Sequence, residues 1–282
     1  MNKSYCANKE KSELKSKKKI YYGLSILKVF LAFDVISFHC FNRNSTRNKY
    51  LLNFIRSQRL HVPSFIIMSF YFTHNTLISL DSSKIYKRFE RLMLPYIGFP
   101  IILFIKHNTL NYFSKYYFQI SIKILLMQII LGDAPKIPLH FWFLFDLIAT
   151  NILFLFIIII FKNNYILVLQ LLMLFSYFLQ YSKINLKLFK YLNYKVALGR
   201  ENEFIPFAVT GFLLFDLNII TKLNKHKFQT FIISLIILTL TRYYEFFSNF
   251  QGILYHGIKL NIRSVLLIIL FSLISLEETK YK

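Results

Sequence analysis

The chain has 282 residues, of which 55% are hydrophobic and 18% aromatic, with a mean hydropathy of +0.45. That is more apolar surface than one soluble core of this length hides, so a soluble globular enzyme is excluded; with 7 Gly and 6 Pro, so are collagen-like and linker chains. The balance of 35 Lys+Arg against 13 Asp+Glu gives a net charge of +22, and because the cations fall mostly between apolar runs, they are expected to face lipid phosphates or anionic ligands rather than nucleic acid.

The first 19 residues carry seven lysines and read as a basic cytoplasmic tail. An apolar run from 20 to 41 follows. It is long enough to cross a bilayer and no small-residue cleavage site ends it, so it reads as a span and not as a signal peptide. Further apolar runs lie at 62–80, 94–105, 139–161, 165–181, 203–220, 228–240 and 262–276. The segment 116–131 mixes apolar residues with Gln119, Ser121, Lys123 and Gln128, and reads either as a cavity-lining span or as an amphipathic helix at the interface. The expected fold is all-α, a polytopic transmembrane helix bundle of about 8–10 spans, with 20–280 forming one integral membrane domain. Basic residues divide evenly between the two sides of this topology. The denser cluster before the first span therefore sets the orientation, with the N-terminus cytoplasmic and the plasma or inner membrane as host.

Ionisable groups inside spans are expensive and mark candidate sites. The first span holds Lys28, Asp34 and His39. Lys28 and His39 are eleven residues apart, which puts them within roughly 20° on one helix face and about 16 Å apart along the axis. His39 suits a general base, since imidazole exchanges a proton near neutrality; a histidine bonded to a neighbouring helix or reaching the interface is the alternative. Asp34, Asp146 and Asp216 read as structural, either buried partners of Lys or Arg on other helices or simply protonated.

A second group is the stretch "SKIYKRFERLMLPY", where Lys84, Arg88 and Arg91 take positions i, i+4 and i+7 of a helix, a single cationic stripe that ends where the chain is expected to enter the bilayer at Pro95. Two guanidiniums three residues apart can fork onto phosphate oxygens, and the same pattern also serves as a basic flank of a span. In "PLHFWFLFDLI", His140 and the single tryptophan, Trp142, open a span, either as interfacial belt residues or as the lining of a substrate entrance. Cys6 and Cys40 have neither metal nor redox spacing, and no metal site is expected.

Together these residues resemble the membrane-bound acyltransferase-3 family. "ILKVFLAFDVISFHC" resembles its opening motif, a basic residue followed eleven positions later by a histidine. "VPSFIIMSFYFT" is similar to its second span, "KRFERLMLPY" to its R-x-x-R motif with a following Leu-Pro pair, "HFWFLFDLI" to an aromatic span opening and "FIPFAVTGFLL" to a late span. The matches occur in the family's order over residues 20 to 280. The resemblance implies an O-acyltransferase that moves an acetyl group from acetyl-CoA, a substrate and not a resident cofactor, to a hydroxyl of a cell-surface glycan or glycolipid. It implies His39 as the catalytic base with Lys28 as its basic companion, and Arg88 and Arg91, with Lys84, on the coenzyme. His140 and Trp142 are the candidate acceptor contacts. A transporter or flippase of anionic glycolipids, or an inactive member of the family serving as a membrane partner, is the alternative reading.

Overall fold

A computed structural model describes residues 22–33, 60–113, 121–131, 142–181, 198–247 and 257–273, and every regular element among them is helical. In chain order these are α1 (Tyr22–Phe33), α2 (His61–Ile78), α3 (Ser82–Phe113), α4 (Ile122–Leu131) and α5 (Trp142–Phe161), then α6 (Tyr165–Tyr181), α7 (Leu198–Asp216), α8 (Ile219–Leu223), α9 (Lys227–Phe247) and α10 (Ile258–Leu273). The all-α expectation holds.

Among the described residues one helical run, Phe143–Gln180, is long and apolar enough to cross a membrane. Glu203–Asp216 and Ile219–Thr241 pass the same test as a pair bent by 58°. One or two such runs therefore stand where eight to ten were expected. The reasons are local. α4 and α10 have 10 and 16 residues, short of the about 20 a bilayer asks for. α2 is diluted by His61, His74 and Asn75, and α3 by the cations Lys84 to Arg91 in its first turns, by Lys106, His107 and Asn108 further on, and by Pro95 and Pro100.

The described helices belong to two compact units, one formed by Met1–Phe72 and Thr210–Lys282, the other by Thr73–Val209. In the first, α1 buries Leu24, Leu27 and Leu31, the i, i+3, i+7 stripe of a one-sided helix. The rings of Phe30 and Phe271 lie 5.8 Å apart and set α1 against α10, and α9 packs along α10. Gly211 of α7 meets the backbone of α2 directly: a Cβ there would fall 2.9 Å from the Ile67 carbonyl carbon. Four residues further on in each helix, Tyr71 and Phe215 meet ring to ring at 5.2 Å. Equal steps in both helices mean that α2 and α7 run side by side in the same direction over this turn.

In the second unit, α3 packs on α4 and α5, and α5 on α6. Tyr96 ties three of these together. Its hydroxyl lies 3.0 Å from the Gln128 carbonyl and 2.6 Å from that of Ile129 in the last turn of α4, and its ring sits 5.9 Å from that of Phe145 on α5. Pro95 and Pro100 lie inside α3 without ending it.

In this unit polar side chains are buried beside Leu147, Ile148, Phe154 and Leu169, while large apolar ones lie on the outside. Gln128, Asp146, Thr150, Asn151 and Ser176 are buried, whereas Leu167, Leu171, Leu174 and Phe178 of α6 and Ile152, Phe156 and Ile159 of α5 are exposed. The buried groups turn inward on their own helix where they can: the Thr150 hydroxyl donates to the Asp146 carbonyl at 2.7 Å, and the Asn151 amide to that of Leu147 at 2.6 Å. Exposed apolar stripes of this extent mark a face that meets lipid or another protein.

Candidate active site

Lys28 sits on α1 beside the leucine stripe, with its Nζ 4.6 Å from the centre of the Phe72 ring. A cation over a ring face is attracted by the ring's quadrupole. Phe72 is itself braced: Tyr71 meets it edge-on at 5.4 Å, and Phe215 of α7 meets Tyr71 in turn. An aromatic chain therefore runs from α7 through α2 to the ammonium group of Lys28. His39, Asp34 and His140 lie outside the described residues. Trp142 is the first residue of α5.

The cationic group of α3 begins at a cap. The short turn after α2 brings Leu80 to a φ of 49°, and Asp81 then accepts from the backbone N–H groups of Ser83 at 3.0 Å and Lys84 at 3.3 Å. An aspartate here satisfies donors that the first helical turn leaves open. Its second oxygen faces the Lys84 Nζ at 3.2 Å, and the Lys84 side chain is the main reason the carboxyl is held below its ordinary value of 3.8. Lys84 thus serves first as the partner of Asp81, although its spacing also aligns it with the arginines.

One turn later Arg88 is half-buried and Arg91 exposed, three residues apart on one side of α3. Burial pushes the Arg88 guanidinium down to about 10, and the charge of Arg91 acts in the same direction. It remains protonated at neutral pH. A desolvated cation next to a second cation is stabilised by an anion that faces both, which is the electrostatic character of an oxyanion clamp.

The sequence reading missed Arg263. It lies in α10 at 1% exposure and is accompanied by Asn261 and Ser264, also buried. The Asn261 amide donates to the Thr210 hydroxyl of α7 at 2.8 Å. Placed second in the run 262–276, Arg263 resembles an ordinary span flank. The signal was its setting between Asn261 and Ser264, three polar or charged positions out of four at the mouth of an otherwise apolar segment. Among the described residues, no group of three or more His, Cys, Asp or Glu side chains is arranged to hold a metal ion.

Lys28 belongs to the first unit, together with Arg263, and the arginine pair to the second. A family model described as an acyltransferase domain matches residues 21–279, a stretch that includes every candidate position named above. Neither a curated protein nor a solved structure matches the chain.

Proposed function

The chain belongs to the acyltransferase-3 family, whose model covers residues 21–279 of 282, and from that premise we propose that it is an integral membrane O-acyltransferase moving an acetyl group from acetyl-CoA to a hydroxyl of a cell-surface glycan or glycolipid. The family match carries this reading. It is supported by the desolvated Arg88 beside Arg91, a pair suited to the phosphates of coenzyme A. The apolar side chains that α5 and α6 expose fit a bilayer better than water, in keeping with a polytopic bundle in the plasma or inner membrane. With the N-terminus cytoplasmic, the arginines of α3 face the compartment that holds the coenzyme.

In this reading His39 takes the proton of the acceptor hydroxyl as its oxygen attacks the thioester carbonyl. The carbonyl oxygen gathers negative charge in the tetrahedral intermediate, where Lys28, held over Phe72, supplies a positive counterpart. Collapse breaks the C–S bond, the imidazolium returns its proton to the departing thiolate, and the ester and free coenzyme A leave. Arg88 and Arg91 hold the phosphates, assisted by Lys84, while His140 and Trp142 receive the acceptor.

The test is His39→Ala, brought to the wild-type level in membranes, with acceptor O-acetylation followed by mass spectrometry. Loss of acetylation by several orders of magnitude is expected for a base that takes part in the proton transfer. Retained acetylation removes His39 from the mechanism. Arg88→Ala with Arg91→Ala should raise KM for acetyl-CoA far more than KM for the acceptor, and an equal effect on both substrates counts against the clamp.

A further inference from the structure

A counter-charge for a tetrahedral intermediate has to stand in a fixed place, and a lysine does not fix its own. Its charge rides on a flexible four-carbon stem, which from an apolar helix extends toward the nearest water. Lys28 is exposed at the edge of the buried leucine stripe of α1, next to Val29 and Phe30 at 58% and 48% exposure. Burial alone therefore does not set the direction of the stem.

The neighbouring helices supply a direction. The Lys28 Nζ stands 4.6 Å from the centre of the Phe72 ring, within the range in which a ring face attracts a cation. Tyr71 and Phe72 are consecutive in α2, so they leave the helix about 100° apart and face different neighbours. Phe72 meets α1, and Tyr71 meets Phe215 of α7 at 5.2 Å while touching Phe72 edge-on at 5.4 Å. The approach of α7 to α2 at Gly211 and Ile67, one turn earlier in both helices, makes the Tyr71–Phe215 contact reachable. All of these residues lie in the first unit.

We propose that Phe72 is a positioning residue for the acyl-transfer step: its ring holds the Lys28 ammonium where negative charge develops on the thioester carbonyl, and Tyr71 and Phe215 brace the ring. This rests on the acyl-transfer reading above and deepens it. A residue that places a charge needed only in the transition state changes the rate of the chemical step and leaves ground-state binding of the donor as it was. Leucine at 72 keeps apolar contact and has no ring face, so the stem loses its seat while the helices keep their packing surface.

The probe is acetyl-CoA labelled in the acetyl group, supplied to membranes that carry the full chain. Label fixed in the membrane glycan fraction gives kcat per molecule of protein and KM for the donor. Phe72→Leu should lower kcat about three- to thirtyfold with KM for acetyl-CoA unchanged. Phe72→Tyr, which keeps the ring face, should recover most of the rate lost. In a Lys28→Met background, already slow, Phe72→Leu should have no further effect. Phe215→Leu should give a smaller fall, also absent in that background, and it carries the test if Phe72→Leu does not fold. A fall of the same size with and without Lys28, or one shared equally by kcat and KM, makes Phe72 a packing residue and overturns the proposal. Loss of activity in Lys28→Met with Phe72→Leu at the wild-type rate overturns the proposal alone. Wild-type rates in Lys28→Met remove Lys28 from the acyl-transfer reading, and the proposal falls with it.

Discussion

Gly211→Ala puts the packing of α7 on α2 to a direct test. The added methyl meets the carbonyl carbon of Ile67 at 2.9 Å and its Cα at 3.1 Å, and both are backbone atoms of a helix that is buried along most of its length. No side chain can swing aside, so α2 and α7 must separate, at a cost of about 1–3 kcal/mol for an overpacked buried contact. Replacing glycine by alanine inside a helix returns about 1 kcal/mol, which leaves a net loss of up to about 2 kcal/mol. For a chain of this size that lowers the unfolding temperature by up to about 8 °C. Gly98→Ala is the internal control. It sits inside α3 with nothing within 4 Å of its added Cβ, so it keeps the helix gain without the clash and should unfold at or slightly above the wild-type temperature. Thermal unfolding of both purified variants in one detergent, read by loss of the monodisperse peak in size-exclusion chromatography, decides the matter. If Gly211→Ala is as stable as Gly98→Ala, the close approach of the two helices is wrong.

Further outcomes follow from the other contacts. Phe72→Leu should cost about 0.5–1 kcal/mol more with Lys28 present than in a Lys28→Met background, a double-mutant cycle in unfolding temperature that isolates the ring–cation contact from the ring's packing on Tyr71. Asp81→Ala should destabilise at neutral pH by uncapping α3. Because the folded carboxyl is held below its ordinary 3.8, the Asp81 contribution is present in full above that value and disappears as pH falls through the lower folded one, so wild type and variant should converge in strong acid. Arg88 titrates near 10, so the affinity for coenzyme A should be insensitive to pH from about neutrality to 9 and weaken as pH rises through 10; Arg88→Ala should flatten that rise.

Much of the helical layout was legible because hydrophobic runs and helices share the same limits when nothing polar interrupts them. The run 165–181 coincides with α6, and 62–80 differs from α2 by at most two residues at either end. Where polar residues continue a helix beyond its apolar part, hydropathy failed. The run 94–105 is the middle of α3, which starts twelve residues earlier because Asp81 caps it and which continues through Pro95 and Pro100. The arginine pair was legible because both of its members lie on one helix, where spacing alone fixes the angle between them. The buried polar residues of α10 were not, because Asn261 and Thr210 are far apart in sequence, and the approach of α7 to α2 depends on Gly211, whose importance lies in a missing side chain that no pattern of hydrophobicity records.

The length of α3 has a consequence of its own. Thirty-two residues make a rod of about 48 Å. Its first twelve-residue rise, about 18 Å from Ser82 to Leu94, bears Lys84, Arg88 and Arg91. The guanidiniums are thereby carried on a rigid helical stalk continuous with the apolar stretch that follows, and not on a separate loop. The same rod continues to Tyr96 and its seat on the end of α4, so tilting the stalk would be transmitted into the apolar interior through that phenol.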